Sequence, residues 1–65
     1  MITNNPTLVT NCLQIEAVVR IMVMKGIDDN ESLVEVVDSV YHPKTELEQE
    51  MYSEAIIHAK QGVLN

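Results

Sequence analysis

The longest apolar stretch of the chain runs from Leu8 to Met24, and from Cys12 onward only Gln14, Glu16 and Arg20 interrupt it. The run is too long for one strand and has no internal turn signal. It therefore predicts a helix, in spite of the β-branched residues between Val18 and Val23. Asn5 supplies a cap, and Pro6 suits the first helical position, where a backbone N–H has no partner in any case. Lys25 complements the dipole at the far end, and Gly26 can close the helix in the left-handed conformation. The first predicted helix spans residues 6–25.

At about 100° per residue, Thr7, Thr10, Asn11 and Gln14 share one side of this helix near its start. Glu16 and Arg20 share the other side, one turn apart in the favourable order. Every direction between them is apolar, which is the pattern of a helix buried on more than one face. One face suits the rest of the chain. The other is expected to meet a second copy, through Cys12, Ile15, Val19, Met22 and Val23.

Two shorter patterns follow. Leu33, Val36, Val37, Val40 and Tyr41 fall at i, i+3, i+4, i+7 and i+8 and predict a helix over 30–42, with Asp29 or Asn30 as its cap. It has to stop near His42, because the residue before Pro43 is pushed out of the helical region. Thr45, Glu46, Leu47 and Glu48 form a capping box, which starts a third helix over 46–61. Its inward positions are Leu47, Met51, Tyr52, Ala55, Ile56 and Ala59, with Ile57 at the margin. Lys60, Gly62 and a contact between Val63 and Ile57 suggest its end. Glu46, Glu50 and Glu54 form an outward ridge at i,i+4 spacing. The expected fold is all-α: a long apolar first helix with an acidic helical hairpin beside it, one domain over 1–65, residues 1–5 a loose lead-in, assembled as a homodimeric helical bundle.

Length supports the dimer. A chain of 65 residues buries only about 60% of its unfolded surface and is marginal alone. Its single cysteine, Cys12, allows no internal disulfide, and its two histidines form no metal-ligand spacing. No cofactor is expected. The N-terminal residues lack the pattern of a cleaved secretory leader, and the apolar run is short of a span and carries Glu16 and Arg20, so a cytoplasmic location without membrane contact is expected.

Charge narrows the partners. The formal net charge is −6, and between Asp28 and Glu54 nine acids stand against one base, Lys44, a local net of −8. Such a field repels nucleic-acid phosphates and anionic surfaces and attracts basic proteins. With two tyrosines and no Phe or Trp, there is no stacking platform for single strands.

No constellation supports catalysis. Glu54 and His58 lie one turn apart but have no nucleophile beside them, and read as a surface pair. Cys12 reads as a small buried hydrophobe, His42 as a loop residue, and the methionines Met22, Met24 and Met51 as core filler. The acidic loop from Asp28 to Glu31 lacks the alternating ligands and glycine of a calcium loop.

The expected function is that of a small, non-enzymatic interaction module. It binds and modulates a basic protein, such as one that binds nucleic acid, through Glu35, Asp38, Glu46, Glu50 and Glu54. Two narrower readings stand beside it: a phage-type inhibitor that mimics nucleic acid, and a small dimeric transcriptional regulator of the antitoxin kind. In size and charge alone the chain is similar to phage and mobile-element inhibitors and to bacterial adaptor dimers.

Overall fold

A computed structural model describes residues 6–64. They form three helices: α1 (Pro6–Met24), α2 (Asn30–Tyr41) and α3 (Glu46–Leu64). No strand occurs among the described residues. The expected lead-in and the Asn5 cap lie outside them. The radius of gyration, 11.6 Å, is near the ~11 Å of a compact chain of this length.

Local chemistry sets the helix ends. Gly26 takes φ +93°. Its N–H donates to the Val23 carbonyl at 2.9 Å, and the Ile27 N–H donates to the Met22 carbonyl at 2.9 Å. This crossed pair is a Schellman closure, and the left-handed φ is the reason for glycine here. Asp29 caps α2, its carboxylate accepting from the Ser32 N–H at 3.0 Å. His42 ends α2 in the left-handed region at φ 47°, with its N–H on the Asp38 carbonyl. That conformation stops the helix one residue before Pro43.

The capping box forms in both directions. The Glu48 N–H donates to Thr45 Oγ1 at 3.1 Å, and Glu48 Oε1 accepts from the backbone N–H groups of Lys44 and Thr45 at 2.9 and 3.1 Å. The far end of α3 differs from expectation. Gly62 lies within the helix, which continues to Leu64, and a side chain there would meet nothing within 4 Å. No residue within it takes a left-handed conformation, since Gly26 and His42 have the only positive φ values among the described residues.

The three helices run up, down and up. Asn11 meets Tyr52, Cys12 meets Met51 and Glu16 meets His58, so α1 and α3 are parallel. Tyr41 meets Gln14, and Lys60 meets Asn30, so α2 runs against both. The closest packing is between α1 and α3, not within an α2–α3 hairpin as the sequence suggested. The reason is Ala55 and Ala59, buried one turn apart on α3. Small side chains there let the α1 backbone approach closely, and interaxial distance follows side-chain size.

The core holds Leu8, Ile15, Val19 and Val23 from α1, Leu33 and Val37 from α2, and Tyr52, Ala55, Ile56 and Ala59 from α3. Cys12 and Met22 pack against it. Thus Ile15, Val19 and Val23, expected at a dimer seam, lie inside the chain's own core, and Cys12 and Met22 share that side. Val40 and Leu47, expected inward, are exposed. α2 reaches the crease between α1 and α3 along Leu33, Val37 and Tyr41, so Val36 and Val40 fall outside that line. Leu47 lies about 140° around α3 from Tyr52 at 100° per residue, on the solvent side.

Buried polar groups are matched. Tyr52 is 3% exposed, and its hydroxyl accepts from Asn11 Nδ2 at 3.0 Å, as a buried tyrosine requires. Tyr41 donates to Gln14 Oε1 at 2.8 Å, and its ring tilts against Tyr52 with centroids 5.9 Å apart.

Candidate functional site

The acidic ridge stands on the outward side of α3. Glu46, Glu50 and Glu54 are exposed and rim a shallow open depression whose floor includes Gln49 and Ser53. Their spacing of one turn puts successive carboxylates about 6 Å apart along the axis. None of the three joins an ion pair among the described residues; the pairs present there are Arg20–Glu16 and His58–Glu16. The ridge field is therefore not offset locally.

Asp38 joins this surface from α2. A groove of about 220 Å³ between α2 and α3 is lined by Val34, Asp38, Gln49 and Ser53, above Tyr52 and Ile56. Gln49 and Ser53 belong to both the groove and the ridge depression. Asp38 is thereby contiguous with Glu46, Glu50 and Glu54. Glu35 is exposed on the outer side of α2, next to Val34, and lines neither depression. Four of the five residues expected to bind a partner thus share one surface.

His58 is placed differently from its sequence neighbourhood. Its Nδ1 lies 3.1 Å from Glu16 Oε1 on α1, and Arg20 reaches the same oxygen at 3.7 Å. Glu16, not Glu54, is its partner. On the helix wheel Glu16 borders the buried line through Cys12 and Val23, and this edge position was the signal for a contact across helices.

Two carboxylates are tuned by capping. Hydrogen bonding from Ser32 holds the Asp29 carboxyl below its ordinary value of 3.8. The backbone N–H groups of Lys44 and then Thr45 hold Glu48 below 4.5. These shifts belong to helix ends rather than to acid–base chemistry. Burial, and then the negative charge of Glu16, pushes the Cys12 thiol above 9.0. A protonated, partly covered thiol is a poor nucleophile. Among the described residues no group of three or more His, Cys, Asp or Glu side chains is arranged to hold a metal ion.

α1 presents a second surface. Val9, Leu13, Ile21 and Met24 are 51, 62, 51 and 69% exposed. Over its most apolar window the helix has a mean hydropathy of 1.4, and its 19 residues are long and apolar enough to cross a membrane by length and composition. No protein-family model matches the chain, and no curated protein or solved structure is significantly similar to it.

Proposed function

We propose that this protein is a small non-enzymatic interaction module, acting as a homodimer, that binds a basic protein surface through the α3 ridge. The observation that carries the reading is the row Glu46, Glu50 and Glu54. These carboxylates are exposed, joined to Asp38 through Gln49 and Ser53, and without an ion pair among the described residues. Unpaired like charges on one helix repel mildly at i,i+4 spacing. A basic partner relieves that repulsion and is steered toward the field.

Charge density favours a basic protein surface over imitation of nucleic acid. The ridge carries three charges over about 12 Å of axis. Duplex DNA carries one per ~1.7 Å, or about seven over the same length. The same field opposes direct binding to DNA, and a gel shift at low salt is expected to show none.

The test is recovery of a partner by tagged protein from its native host at rising salt. Wild type should retain a basic protein that the triple variant Glu46→Lys, Glu50→Lys, Glu54→Lys loses, with salt weakening the wild-type complex. Equal recovery by both proteins would sink the reading and leave the ridge a solubilising surface.

A further inference from the structure

We infer that the outward stripe of α1, formed by Val9, Leu13, Ala17, Ile21 and Met24, is the seat of a second copy of this chain, packed antiparallel about a two-fold axis at Ala17. The inference rests on the homodimer in the reading above, and not on the partner of the acidic ridge.

The stripe lies on the side of α1 opposite Leu8, Ile15 and Val19. It carries no charge and is exposed along its whole length. It leaves on the order of 500 Å² of apolar surface open, as large as the largest patches usual on monomers. With a polar rim from Thr10, Gln14 and Arg20, that area approaches the ~800 Å² per partner of a standard specific interface.

Its layout is self-complementary, as a two-fold contact requires. Ala17 sits midway between Leu13 and Ile21. In an antiparallel pair the two Ala17 residues meet on the axis, where a small side chain permits close approach. Each Leu13 then faces the partner's Ile21. Antiparallel packing also sets each flank of the stripe against the same flank of the other copy. Arg20 comes within about two residues, or ~3 Å along the axis, of the partner's Glu16, and the helix dipoles oppose.

Charge selects the same occupant. Each chain carries −6, but α1 itself holds one acid and one base, Glu16 and Arg20. Pairing through the back of α1 keeps the two α3 ridges on the far sides of the assembly. Their repulsion is then screened beyond a Debye length of about 8 Å.

The experiment uses the full chain. Sedimentation equilibrium at micromolar concentration should give about twice the 7.3 kDa chain mass. Ile21→Lys should raise the dissociation constant at least ~100-fold, since each two-fold contact loses one buried isoleucine per copy. Single cysteines placed in a Cys12→Ala background provide a readout that inserts no charge. Ala17→Cys should oxidise to a covalent dimer, and a mixture of Leu13→Cys and Ile21→Cys should favour the mixed disulfide. A dimer indifferent to Ile21→Lys and not cross-linked through position 17 would overturn this face and leave the homodimer standing. Preferred 13–13 and 21–21 disulfides would overturn the antiparallel arrangement. A monomer throughout the micromolar range would overturn the homodimer as well. So would a monomer that binds phosphatidylcholine vesicles through the stripe, which would name the bilayer as its occupant.

Discussion

The two sides of α1 have nearly the same chemistry and opposite surroundings. Ile15 is fully buried and Ile21 half-exposed; Val19 is fully buried and Val9 is 51% exposed. Hydrophobicity does not separate these pairs. What separates them is the surface across from each. The inner side meets Ala55 and Ala59, which bring the α3 backbone close, and Leu33 of α2 fills the crease. The outer side packs against no other helix among the described residues. Apolar content thus states how much burial a helix seeks, while its neighbours decide which face receives it from the same molecule.

The largest effect comes from placing the same charge on each side. Ile15→Lys puts an unpaired cation in the core, at a cost of several kcal/mol. A domain of this size rarely has more than about 3–5 kcal/mol to lose. Circular dichroism should report an unfolded chain. Ile21→Lys in dilute solution should keep the helical signal. If both variants unfold, or both stay helical, the distinction between the two sides is wrong.

The inner side can also be challenged from α3. Ala59→Leu forces extra methylenes into the close α1–α3 contact, and overpacking of this kind costs about 1–3 kcal/mol. A lowered denaturation midpoint in urea is the expected result. An unchanged midpoint would mean that the helices are less tightly apposed than Ala59, at 1% exposure, implies.

A smaller effect of the opposite sign is expected where α3 ends. Gly62 is helical and has open space around it. Gly62→Ala should raise stability by about 0.5–1 kcal/mol, because alanine gives up less backbone entropy in a helix. A loss of stability would show that α3 does not continue through this residue to Leu64.

The smallest effect is acid sensitivity at the helix starts. The Asp29 and Glu48 carboxyls are held below their ordinary values of 3.8 and 4.5. Each therefore contributes stability above those values and loses it as pH falls through the lower folded value. Melting temperature should decline as pH falls from about 4.5. Glu48→Gln should flatten that decline, because the amide still accepts at the cap and does not titrate in this range. An identical acid limb in the variant would remove Glu48 from the account.

Much of the local structure was legible. Pro6, Gly26, Asp29, the residue before Pro43, and Thr45 with Glu48 each mark a helix end that the structure places within a residue or two. These signals concern backbone groups and side chains at most five residues apart, and no distant contact is needed to read them. The outward position of Glu46, Glu50 and Glu54 was legible for the same reason, since a carboxylate row opposite Tyr52 and Ala55 has no burial to gain. The end of α3 was misread because Gly62 is also compatible with the helix, and nothing in the neighbouring residues selects between the two states. The stripe of α2 was read too wide because a helix wheel shows which residues are apolar but not how narrow the crease is that receives them. His58 was matched to Glu54 by spacing, whereas Glu16 reaches it only because α1 and α3 run parallel.

The sequence by itself determined three helices, their ends apart from the last of α3, and an uncompensated acidic surface, because those follow from capping, periodicity and charge along the chain. Only the tertiary structure decided that α1 pairs with α3. The return of α2 sets the parallel direction, and Ala55 and Ala59 set the closeness. That pairing encloses Ile15, Val19 and Val23 in the chain's own core and leaves the side of Leu13, Ala17 and Ile21 open. An all-round apolar helix has no preferred inner face until a neighbour arrives, and the residues that make the neighbour close lie some forty positions away in α3.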